Sequence, residues 1–168
     1  NRRFLMKILS SGGHNGTLYI VPESFGGNVY DENPIIQTGK GHMATGSSAR
    51  FHHIKTTISG SSNIMYHIQA EGYNYGTSQP IDCVWTGYTW SGWSGQVHNA
   101  SQKTFYPGMT AHSMYMSSDG YVVLVGDHID AYYTGYIINA MFPCPNGRWH
   151  TFEVLSIQIS ATEATGVF

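Results

Sequence analysis

The sequence is short of charge. Lys, Arg, Asp and Glu make up 11% of the 168 residues, against about 25% in an ordinary soluble domain. With 8 basic and 10 acidic side chains, a net charge of −2 and the Lys and Arg scattered, no basic patch is available to neutralise phosphates. Nucleic acid and anionic membranes are therefore poor partners. No apolar run approaches the ~18 residues of a spanning helix. The longest, Tyr121 to Val125, is strand-sized, so no membrane insertion is expected. Cysteine is also scarce. Cys83 and Cys144 fit either one disulfide or two buried thiols, and sequence does not choose between them. The chain opens at Asn1 without an initiator Met or a signal peptide, so a processed chain or a piece of a longer one is expected.

Helical periodicity is missing as well, because Gly, Pro or Asn-Gly interrupts nearly every window of helical length. Aromatics, by contrast, reach 14% and there are 20 Gly, a mixture that favours strands and tight turns. Period-two alternation is clear. Ile64, Tyr66, Ile68 and Ala70 share one face while Met65, His67 and Gln69 share the other; His52, Ile54, Thr56 and Ile58 alternate in the same way with Phe51, His53, Lys55 and Thr57. These runs read as neighbouring strands of a hairpin closed by Ser59-Gly60-Ser61-Ser62. Further strands are predicted over Thr17–Val21, Ile81–Tyr88, Ala111–Met116, Tyr121–Gly126, Tyr132–Met141 and Trp149–Ile159. Ser117-Ser118-Asp119-Gly120 is a hairpin turn, since Asp-Gly tolerates positive φ. Pro143-Cys144-Pro145-Asn146-Gly147 is a rigid turn. Tyr121 to Val125 are apolar on both faces, which predicts a central strand covered on both sides.

The expected fold is all-β, an antiparallel β-sandwich with a jelly-roll-like order of short strands. The length suits one core. Residues 1–46 are less regular and are expected to form an N-terminal arm or stalk-proximal β segment, joined through a flexible stretch at Gly39–Ser48 to a head domain at 47–168.

Catalytic chemistry finds little support. The 9 His invite a metal reading, yet no His-x-His, His-x-x-x-His or Cys-x-x-Cys is present. His52 and His67 would share a site only if their strands paired. Asp127-His128-Ile129-Asp130 groups possible ligands or acid/base residues after an apolar strand, and reads equally well as a loop capped by Asp. Gly-x-Ser-x-Gly, a phosphate-cradling Gly loop, a Cys/His nucleophile signature and a spaced acid pair are lacking. The expectation is a protein that binds, without catalytic residues, metal or cofactor.

The strongest functional signal is Val84-Trp85-Thr86-Gly87-Tyr88-Thr89-Trp90-Ser91-Gly92-Trp93-Ser94-Gly95, where Trp and Tyr interleave with Gly, Ser and Thr and no charge occurs. Indole faces can cover the C–H face of a sugar while hydroxyls and backbone groups bond its OH groups. Trp85 lies in a predicted strand and is assigned to the core; Trp90 and Trp93 lie among Gly and Ser, so at least one is expected at the surface. Tyr88, Trp90, Trp93, Gln96 and Asn99 are the candidate ligand-binding residues, on loops at one end of the sandwich. The competing reading packs all three Trp inside the sandwich or between subunits. Tyr73, Tyr75, Tyr132, Tyr133 and Tyr136 carry the same ambiguity. Asn15-Gly16-Thr17 and Asn99-Ala100-Ser101 match the glycosylation sequon, making Asn15 and Asn99 candidate acceptors.

From about Arg50 onward the chain resembles the C-terminal tip domains of trimeric fibre proteins, phage tail-fibre tips and the heads on collagen-like or coiled stalks. The residues that carry the likeness are Phe51 to Ile58, Asn63 to Gly76, Trp85-Thr86-Gly87-Tyr88 and Ser118 to Val125. The resemblance implies a β-sandwich, a homotrimer and recognition of a glycan or glycoprotein receptor from an extracellular, secreted or virion-surface position. The two cysteines and the Pro-Cys-Pro-Asn-Gly turn depart from the phage pattern and suit an animal or aquatic-virus relative as readily. Two other functions compete with an adhesion head: a structural trimerisation or matrix-forming domain, and a glycan-processing hydrolase.

Overall fold

A computed structural model describes residues 4–9, 17–22, 35–44, 51–93, 95–128, 133–142, 152–163 and 166–168, with side chains from residue 51 onward. The strands are β1 (Phe4–Leu9), β2 (Thr17–Pro22), β3 (Ile35–Ala44), β4 (Phe51–Ser59), β5 (Met65–Asn74), β6 (Gln79–Tyr88), β7 (His98–Pro107), β8 (Thr110–Met116), β9 (Tyr121–Asp127), β10 (Thr134–Phe142) and β11 (Val154–Ser160). A single 3₁₀ turn at Ser91–Trp93 is the only helical piece among the described residues. The strands form a seven-stranded sheet in the order β1-β2-β3-β10-β5-β6-β7 and a four-stranded sheet in the order β11-β4-β9-β8. All pairings are antiparallel. The order β10-β5-β6-β7 places a later strand beside the first of a three-strand meander, the spatial arrangement of a Greek key.

The all-β sandwich expected from alternation is the fold observed. Ile54 and Ile58 of β4, Tyr66, Ile68 and Ala70 of β5, Cys83 and Trp85 of β6, Leu124 of β9 and Ile138 and Ala140 of β10 meet in one core between the sheets. Their outward neighbours Met65, Gln69, Thr86 and Ile137 are exposed or half-buried. β9 is covered on both faces, as its sequence predicts: Val122 and Leu124 enter the main core, and Val123 and Val125 pack with Tyr115, Phe51 and the C-terminal Phe168. The Ser117–Gly120 hairpin closes with Gly120 N–H donating to Ser117 O at 2.9 Å and Gly120 at φ 84°, a conformation that disfavours a side chain.

Several expectations need correction. β4 and β5 are not a hairpin. β4 pairs with β9 and β11, β5 with β6 and β10, so Ser59–Ser62 carries the chain from one sheet to the other. Alternation gives each strand an inner face without naming the sheet it joins. The shared site of His52 and His67 falls with that pairing: His52 is buried between the sheets, and His67 lies half-exposed on the outer face. Within the stretch proposed as a flexible joint, Gly39–Ala44 is part of β3 and pairs with β10; Gly-rich composition was outweighed by an available sheet edge. β1, β3 and β7 were not foreseen. Trp149, the Pro143–Gly147 turn, Tyr132, Ile129 and Asp130 lie outside the described residues.

Candidate functional site

At one end of the sandwich, β6 hands the chain to a hydrogen-bonded turn. Thr89 is fully buried; its N–H donates to Ile64 O at 2.9 Å, and its Oγ1 accepts from Ile64 N–H at 3.4 Å. Beyond this anchor, Asn63 Oδ1 accepts from Ser91 N–H at 2.8 Å. Trp93 N–H donates to Trp90 O at 3.0 Å and Gln96 N–H to Trp93 O at 3.2 Å. A Cβ on Gly92 would come within 2.9 Å of the Trp90 ring, so a residue without a side chain lets that indole lie against the turn.

This frame presents Trp90 and Trp93 to solvent, 44% and 61% exposed, with ring centroids 5.6 Å apart. His98, the first residue of β7, completes the cluster, 5.5 Å from Trp93 and 6.4 Å from Trp90. Its Nε2 lies 3.3 Å from Trp93 O. No charged residue occurs from Tyr88 to Asn99. Indole surface left in water at a well-held position is unfavourable area that a ligand can cover.

The structure separates the three tryptophans. Trp85 is fully buried, as assigned from its strand, whereas Trp90 and Trp93 are outside, which overturns the reading that packs all three within this chain. Gln96 and Asn99 are exposed beside them, Asn99 at φ 48° where the β6–β7 ladder is irregular. Tyr88 is half-buried and opposite His98 in the ladder. Tyr136 is core, while Tyr73, Tyr75 and Tyr133 are exposed at the other end. His98 was not among the sequence candidates; β7 shows no apolar alternation, so nothing marked it as the strand returning beneath the tryptophans.

Of the cysteine pair, Cys83 is a free buried thiol and not the disulfide partner that one reading made it. Burial pushes its pKa up, and the Asp82 charge adds to this. Such a thiol is unreactive. Cys144 and Asn15 lie outside the described residues.

A second polar group is internal. His52 and His128, both fully buried, stand with ring centroids 4.0 Å apart. His52 Nδ1 is hydrogen-bonded to Tyr136 OH at 2.9 Å, and His128 Nδ1 lies 3.1 Å from Gly108 O. His53 reaches Tyr115 OH at 3.2 Å and Thr162 O at 3.4 Å. Among the described residues no group of three or more His, Cys, Asp and Glu is disposed to hold a metal. No helix among them is long and apolar enough to cross a membrane.

Comparisons of the chain with family models, with curated proteins and with solved structures find no match.

Proposed function

We propose that this domain is an extracellular binding or adhesion head that recognises a neutral glycan, alone or on a glycoprotein, through Trp90, Trp93 and His98, with Tyr88, Gln96 and Asn99 around them. The observation that carries the reading is an exposed indole pair held on a hydrogen-bonded frame in a charge-free stretch. Order is imposed on the platform before any ligand arrives, which limits the entropy lost on binding. Indole faces take the C–H face of a hexose, and neighbouring amides and hydroxyls take its OH groups. Single sites of this kind are weak, so repetition around a threefold axis would raise capture through avidity.

Replacing Trp90 and Trp93 separately by Ala is the direct test, with binding read on a glycan array and on cells. Each variant is expected to lose binding while keeping its melting temperature. Retained binding in both defeats the assignment.

A structural trimerisation or matrix-forming role is favoured by a different observation. Met65, Tyr73 and Ile137 are 45%, 49% and 47% exposed on β5 and β10, apolar surface that suits a subunit contact. Native mass measurement is expected to give a homotrimer; a monomer at high concentration removes both the trimer and the avidity argument.

A further inference from the structure

The solvent face of β5, β6 and β7 carries a shallow groove of about 440 Å³, lined among others by His67, Gln69, Asp82, Thr86, Lys103 and Phe105. Its volume lies in the range of small-ligand sites. Gln69 Nε2 donates to Asp82 Oδ1 at 2.8 Å, which orients the carboxylate and leaves its other oxygen for a ligand. Lys103 Nζ sits 4.9 Å above the Phe105 ring. Although Asp82 and Lys103 line the same groove, they form no ion pair with each other; the ion pairs of the described residues are elsewhere. One acceptor and one donor thus face a common space, Asp82 through the oxygen that Gln69 does not hold and Lys103 through an ammonium that also rests over Phe105.

The groove is also aligned with the tryptophan platform. In the β6–β7 ladder Val84 is opposite Lys103, Thr86 opposite Ser101 and Tyr88 opposite His98. Tyr88 is two residues beyond Thr86, which puts it on the same face about 7 Å further along. The groove therefore runs toward the ring cluster formed by His98, Trp90 and Trp93.

We infer that platform and groove form one elongated site for a linear, neutral oligosaccharide, with one sugar unit on the indoles and the following units along β6 and β7. The inference rests on the carbohydrate reading above. β6 is hydrogen-bonded to a strand on each side, so its backbone is engaged and the ligand is read by side chains. Sugar hydroxyls both donate and accept, so one chain can donate to Asp82 and accept from Lys103 along the groove, which a purely anionic or cationic ligand cannot do. A carboxylate and an ammonium together leave the groove without net charge, which favours a neutral chain.

The test is calorimetric titration with malto-, cello-, chito- and N-acetyllactosamine ladders, each from the single sugar upward. Affinity is expected to rise at least about tenfold along one ladder. Asp82→Asn and Lys103→Met should each remove about tenfold of that gain, with single-sugar binding and melting temperature unchanged, whereas Trp93→Ala should weaken every length. Length-independent binding, or a gain that survives in both groove variants, overturns the elongated site and leaves the platform standing. Failure of every ladder to bind the unaltered protein overturns both.

Discussion

β9 and β7 are strands of one sandwich with opposite relations to solvent. In β9, Val122 to Gly126 are all buried, and β4 and β8 flank it. In β7 none of the ten residues is buried, and the strand is the outer member of its sheet. The first strand is tied into the core on both faces; the second carries polar side chains and His98 past the tryptophan turn. A sandwich can hold its stability in one layer and leave another layer's outward side chains free for contact, because alternation decouples the two faces of a strand.

The tryptophans give that contrast its sharpest test. Trp85→Ala empties a fully buried site and is expected to cost about 3–5 kcal/mol, measured by urea denaturation. A small loss would mean that the core is not organised around this ring. At the other extreme, Trp93→Ala should stay within about 0.5 kcal/mol; a large loss there would return Trp93 to a structural role and erase the distinction.

Between these lies an effect of pH. His53 is fully buried, and desolvation lowers its pKa below the usual 6.5, with the Thr162 carbonyl opposing this. The unfolded chain then binds a proton that the folded chain refuses. Stability is full above about pH 6.5 and declines as pH falls toward the lower folded pKa, levelling off beneath it. His53→Gln should flatten this part of the stability profile relative to the unaltered protein. An unchanged slope would place the acid sensitivity in other groups.

How much of this could be read from the chain depends on where the signal resides. Ile64, Tyr66, Ile68 and Ala70 announce their face by spacing alone, and all are buried. Asp119-Gly120 announces its hairpin by the φ it needs. β7, with His98-Asn99-Ala100-Ser101-Gln102-Lys103, announces nothing, since a strand with neither face buried has no apolar period to display. The tryptophan pair was visible as composition. Its partner His98 and the groove that Lys103 helps to line were not, because they arise from the ladder register between β6 and β7.

The sequence by itself determined the class of fold, the inner face of each alternating strand, the double-sided burial of β9 and the core place of Trp85. Those features follow from local spacing and turn chemistry. Only the tertiary structure decided that β4 and β5 belong to different sheets, that β3 closes onto β10, that Cys83 is a buried free thiol, and that His98 stands with Trp90 and Trp93. Strand partners are chosen by long-range burial and ladder hydrogen bonds shared among distant segments, and these energies leave no mark on the spacing of any one strand.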